Sequence, residues 1–162
     1  MAKYDGDFVF RAITRLDRDT SGLVLIAKDA NTANHLSREI KQGRMYKRYV
    51  ALVSGIPQKE HGVIDAPIRR EAEGAMKRIV APDGKNAVTE YFVKEIRGNN
   101  ALCDVILHTG RTHQIRVHFA HIGHPLLGDY LYGERAEGGY YLRCSELRFT
   151  HPQKGEETTI SI

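Results

Sequence analysis

Five consecutive apolar residues, Leu23-Val24-Leu25-Ile26-Ala27, leave no position to turn toward water, the pattern of a strand buried on both faces. Directly before them runs Arg15-Leu16-Asp17-Arg18-Asp19-Thr20-Ser21-Gly22, a polar stretch that closes on a glycine turn. A loop anchored by such a strand holds its side chains firmly and leaves them reachable by a ligand. Asp29 or Asn31 then caps a helix running to about Gln42, with Ala33, Leu36 and Ile40 as its apolar stripe and Gly43 as its stop. Met45 to Ser54, rich in Tyr and Val, reads as a strand closed by Gly55-Ile56-Pro57.

Residues 58–75 read as loop with a short strand near Ala66-Pro67-Ile68, where Pro67 demands an edge or a turn. Lys77 to Ala81 and Ala87 to Ile96 form a predicted hairpin around Pro82-Asp83-Gly84. Gly98-Asn99-Asn100 turns the chain again into Ala101 to Leu107, where every second residue is apolar. Thr112 is placed to cap a helix to about His121, with Ile115, Phe119 and Ile122 inward and Gly123 and Pro125 ending it. Two further strands are expected, Tyr140 to Cys144 and Thr158 to Ile162, with Leu147-Arg148-Phe149 between them, and Phe8-Val9-Phe10 forms a short strand or packed arm. Many strands joined by hairpins, with two helices, make an α+β domain on a mixed, largely antiparallel sheet.

At 162 residues, 41% hydrophobic and 27% charged, the chain is expected to be one soluble domain over residues 1–162. No apolar run has membrane-spanning length, and the start Met1-Ala2-Lys3-Tyr4-Asp5 lacks a signal-peptide layout, so a cytoplasmic protein without a membrane partner is expected. The net charge of +4 favours a polyanionic partner. Cys103 and Cys144 form no C-x-x-C pair, and Cys103 alternates with apolar residues as a core thiol does, so neither a disulfide framework nor a zinc site is suggested.

The second unusual run is Thr109-Gly110-Arg111-Thr112-His113-Gln114-Ile115-Arg116-Val117-His118. Arg111 stands at the mouth of a predicted helix, where the dipole disfavours a cation. Such a residue needs a specific anionic partner, and Asp17 is the candidate. The histidines 108, 113, 118, 121 and 124 raise a metal-dependent hydrolase as a further reading. His113 and His118 are spaced wrongly for one helical face, however, and no Glu or Cys stands in ligand register.

Taken together, these stretches resemble the RluA-type pseudouridine synthase family. The resemblance rests on Arg15-Leu16-Asp17 with Thr20-Ser21-Gly22, and on Lys47-x-Tyr49-x-Ala51-x-Val53-x-Gly55. It continues through Gly110 to Arg116, Gly123-His124-Pro125, Gly128-Asp129 and Tyr132-Gly133, ending at Leu142, Leu147, Phe149, His151 and Pro152. Thr14 stands where the family usually has His, and the signature begins only fourteen residues into the chain. Members carry a sizeable upstream segment, so the chain is expected to be an N-terminally truncated catalytic domain.

The resemblance implies an isomerase that turns specific uridines in large-subunit ribosomal RNA or transfer RNA into pseudouridine without a cofactor. It makes Asp17 the nucleophile and Tyr49 the residue packed on the target base. Arg111 within salt-bridge range holds Asp17 oriented and charged, and the uridine must be flipped out or already unpaired. Arg15, Arg18, Lys47, Arg48 and Arg116 are candidate RNA-phosphate contacts. The alternative is a catalytically silent RNA-binding fragment of such an enzyme.

Overall fold

The structure is a computed structural model and describes residues 9–162; the expectations for the first residues, including Phe8, lie outside this range. The elements in order are β1 (Arg11–Ala12), β2 (Ser21–Gly22), β3 (Ile26–Ala27), α1 (Ala30–Lys41), β4 (Tyr46–Ser54), β5 (His61–Asp65) and β6 (Ile68–Arg70). There follow β7 (Arg78–Val80), β8 (Val88–Arg97), β9 (Asn100–Leu107), α2 (Gln114–His121), β10 (Leu142–Thr150) and β11 (Glu157–Ser161). A seven-stranded sheet runs β11-β10-β4-β9-β8-β5, with β2 paired to β10; β1-β3 and β6-β7 are separate two-stranded sheets. Neighbours in the main sheet are antiparallel except β2, which joins β10 in parallel. This is the expected α+β class. No helix among the described residues is long and apolar enough to cross a membrane.

Alternation builds the core. Ala51 and Val53 of β4, Ala101, Cys103 and Val105 of β9, and Leu142, Cys144 and Leu147 of β10 are buried together with Ile115, Phe119 and Leu126. Burying a side chain the size of Phe119 contributes about 2–3 kcal/mol. Helix α1 is set by its cap: Asp29 Oδ1 accepts the Thr32 N–H at 2.8 Å and Oδ2 accepts the Thr32 hydroxyl at 2.7 Å. Its Leu36 packs with Met45 and Phe149 in a second cluster.

Five expectations are corrected. Leu23 to Ala27 is not a strand buried on both faces: Leu23 and Leu25 pack on the core, while Val24 and Ile26 stay 43% and 39% exposed. The run skirts the edge of the main sheet, where one face alone finds a partner. The chain does turn at Pro82-Asp83-Gly84, but β7 pairs with β6, and β8 pairs with β5 and β9. Residues 58–75 hold β5 in addition to the expected short strand, which is β6, and β6 occupies the place assigned to β8. Thr112 does not cap α2; the cap position falls on His113, in the left-handed region at φ 57, ψ 19, with no side-chain capping bond. Leu142 to Cys144 and Leu147-Arg148-Phe149 belong to one strand, β10, interrupted by a bulge at Ser145, and Tyr140 and Tyr141 precede it.

Candidate active site

The loop between β1 and β2 carries Asp17. Within it the Thr20 N–H donates to the Asp17 carbonyl at 3.0 Å, and Gly22 lies flat against β10. A Cβ at Gly22 would stand 2.2 Å from the Cys144 carbonyl oxygen, and the residue has φ +108, so only glycine fits there. At the other end, the Leu25 N–H donates to Thr14 Oγ1 at 2.8 Å, giving Thr14 a role in pinning the loop. The loop closes one side of a cavity of about 280 Å³ whose lining includes Arg15, Asp17, Lys47, Tyr49, Arg111 and Arg116.

Tyr49 enters from the middle of β4, opposite Val105 on β9 and Cys144 on β10. Burial pushes its hydroxyl well above the ordinary phenol range, with Cys144 and the Asp17 charge adding to the effect. Tyr49 is therefore a neutral phenol and a hydrogen-bond donor. Lys47, two residues back on the same face, reaches toward Gly110; a Cβ there would stand 3.1 Å from its Nζ. Lys47 makes no ion pair among the described residues, and burial lowers its pKa.

The cation beside Asp17 is Arg116, not Arg111. Arg116 Nη1 lies 3.9 Å from Asp17 Oδ2, with Arg116 3% and Asp17 18% exposed. Asp129, fully buried, takes Arg116 Nε at 2.7 Å on Oδ2 and Nη2 at 2.8 Å on Oδ1. Burial opposes the Arg116 charge, but the bond and charge of Asp129 outweigh it and raise the pKa above its ordinary value. The guanidinium also stands 4.5 Å from the ring of Tyr140 and 5.0 Å from that of Tyr132.

Two candidate RNA contacts are instead engaged by carboxylates of the fold. Arg116 is buried and committed to Asp129, so it is no surface phosphate contact. Arg48 projects from the opposite face of β4, where Asp104 bonds it and Glu146 lies 3.7 Å away. Arg111 lines the cavity but donates its Nε to the Asn86 carbonyl at 2.9 Å, and no ion pair joins it to Asp17 among the described residues. Arg15 lines the same cavity and Arg18 sits exposed on the Asp17 loop.

Gln114 braces the turn before α2. Its Oε1 accepts the Thr109 hydroxyl at 2.8 Å and the Arg111 N–H at 2.9 Å, while Nε2 donates to the Val88 carbonyl and Thr89 Oγ1, each at 3.0 Å. Sequence reasoning missed Asp129, Gln114 and the depth of Arg116. A signal was there: Arg116 lies between Ile115, Val117 and Phe119, and a cation in so apolar a turn requires a buried counter-charge. The arrangement offers a carboxylate held beside a fixed cation, with a neutral phenol, a hydrogen-bond donor, on the cavity wall.

A family model described as RNA pseudouridylate synthase matches residues 1–121. The uncharacterized RNA pseudouridine synthase YjbO of Bacillus subtilis is 44% identical over 142 residues, covering 86% of this chain and 50% of that protein. Ribosomal large subunit pseudouridine synthase D of Haemophilus ducreyi is 39% identical over 160 residues, covering 89% and 49%. The solved structure of human RNA pseudouridylate synthase domain containing 1 superposes with a TM-score of 0.78 at 31% identity, covering 95% of this chain and 69% of that one. The chain spans about half the length of these curated relatives.

Proposed function

The chain belongs to the RNA pseudouridylate synthase family, and from that membership we propose that it isomerises uridine in RNA to pseudouridine with Asp17 as the nucleophile. The observation that carries this reading is the Asp17 carboxylate beside Arg116 in a cavity shared with Tyr49. The reaction breaks the C1′–N1 bond, turns the base and joins C5 to C1′; C5 loses its hydrogen as a proton and N1 ends protonated. No oxidant, reductant or external group enters.

Asp17 bonds to C1′ as the C1′–N1 bond breaks, holds the sugar while the base turns, and is released when C5 joins C1′. Arg116, itself fixed by Asp129, keeps that carboxylate aimed and requires no reorganisation during the reaction. Tyr49 packs on the flipped base and offers its hydroxyl as a donor. Lys47, Arg15, Arg18 and Arg111 supply phosphate contacts around the cavity mouth. The name of the Haemophilus ducreyi relative supports large-subunit ribosomal RNA as the substrate.

The test is tritium release from large-subunit ribosomal RNA and, separately, transfer RNA, each transcribed with 5-tritiated uridine. Release by the wild-type chain and none by Asp17→Ala is expected with the ribosomal transcript. Release from transfer RNA alone overturns the substrate assignment. RNA binding without release from either transcript makes the chain a silent RNA-binding fragment and overturns the activity.

A further inference from the structure

His113 combines three features that the reading above leaves unused. Among the described residues it is the one non-glycine residue at positive φ, a conformation that costs an L residue about 1 kcal/mol or more. It lines the cavity with Asp17, Tyr49 and Arg116. Its ring is also held by a polar chain that decides where its proton sits.

That chain begins at a backbone amide. The Arg78 N–H donates to the Tyr132 oxygen at 2.9 Å, and the same oxygen lies 2.8 Å from His113 Nδ1. Having accepted from Arg78, Tyr132 gives its own proton to Nδ1. The reverse arrangement, with Nδ1–H donating, would leave the half-buried phenolic proton without an acceptor. Burial lowers the pKa of His113; the Asp17 charge opposes that, and Arg116 and Arg78 reinforce it, so the ring is neutral near pH 7. Tyr132 cannot become a phenolate there, because burial pushes it up to about 12. The single ring proton therefore sits on Nε2, which has no hydrogen-bond partner among the described residues.

We infer that His113 reads the flipped base, its Nε2–H donating to the O4 carbonyl of the target uracil. The inference rests on the synthase reading and adds the recognition of the base to it. Uracil has an approximate twofold axis through N3 and C6. A half turn about that axis exchanges N1 with C5 and O4 with O2. One fixed donor thus meets O4 before the base turns and O2 after it, and keeps its hydrogen bond on both sides of the rotation. Cytosine presents an amino group at C4, and two facing donors repel, so the same contact excludes it.

Two measurements test this. In protein labelled with ¹⁵N histidine, His113 at pH 7–8 is expected to show a protonated Nε2 and a bare Nδ1; the opposite tautomer overturns the inference whatever the substrate. His113→Asn keeps a residue at ease in the left-handed region and bonds Tyr132, but is too short to reach the base. Its kcat/KM for tritium release from the ribosomal transcript is expected to fall roughly tenfold to a hundredfold, with the thermal midpoint held. His113→Gln, whose amide N–H reaches the Nε2 position, is expected to recover part of the loss. His113→Asn turning over like the wild type, or His113→Gln no better than His113→Asn, overturns it. Failure of the underlying reading looks different, because the wild type itself would then release no tritium.

Discussion

Arg116 reaches Asp17 with one edge of its guanidinium, 3.9 Å away, while Asp129 grips the other edge at 2.7 and 2.8 Å. The buried pair is thus a fixture that presents one cation to the Asp17 carboxylate. Lysine cannot hold both partners, because it lacks the planar fork. Arg116→Lys is expected to lower the single-turnover rate by about a hundredfold or more while the RNA Kd moves only a few-fold. A change confined to Kd would return Arg116 to the role of a phosphate anchor. Asp129→Asn strands a buried charge and is expected to destabilise the fold by about 3–5 kcal/mol in urea unfolding.

Arg111 gives the contrasting result. Its guanidinium is exposed and tied to Asn86 through Nε alone. Arg111→Ala is expected to weaken RNA binding and to reduce the slope of log Kd against log salt by about one, with the rate at saturating RNA nearly unchanged. A loss of rate at saturation would mean that Arg111 acts on the reacting centre.

Gly22→Ala drives a methyl group into the Cys144 carbonyl at 2.2 Å and sets an L residue at φ +108. An expected loss of about 2–4 kcal/mol follows, read as a lowered thermal midpoint, together with loss of turnover as the Asp17 loop is pushed off β10. Gly43→Ala is the control. It shares a positive φ, +68, but meets nothing within 4 Å, so about 1 kcal/mol is expected.

His118 makes stability depend on pH. It is fully buried, Nε2–H donating to the Ala66 carbonyl at 2.9 Å and Nδ1 accepting from Thr89 Oγ1 at 2.8 Å. Burial lowers its pKa in the folded state, so below about 6.5 the unfolded chain binds a proton that the fold refuses. Its contribution is complete above pH 6.5 and is lost as pH falls toward the folded value. Urea unfolding between pH 5 and 8 is expected to show stability falling with acid, by at most ~1.4 kcal/mol per pH unit from this histidine. His118→Gln is expected to flatten that slope; an unchanged slope would assign the acid sensitivity elsewhere.

Local signals were legible where a short-range rule decides the structure. Asp29 caps α1, the alternation from Met45 to Ser54 becomes β4, and Gly98 with Asn99 turns β8 into β9. What failed depended on distant partners. The turn at Pro82-Asp83-Gly84 is present, but which strand β7 meets is decided by β6, whose Ile68 bonds Lys85 across the place a hairpin would use. The site divided the same way. Asp17 and Tyr49 stand in motifs that resemblance supplies, and both line the cavity. Choosing between Arg111 and Arg116 as the neighbour of Asp17 required the position of Asp129, thirteen residues beyond Arg116 in an irregular stretch.

The loop that carries Asp17 is fastened by residues synthesised much later. Ser21 Oγ donates to the Leu142 carbonyl, 121 residues away, and Gly22 pairs with Cys144. During translation at about 5–20 residues per second, the loop lacks these two fastenings until β10 leaves the ribosome. The Asp17 loop takes its final place only with a completed sheet, and a product that stops before β10 lacks both fastenings.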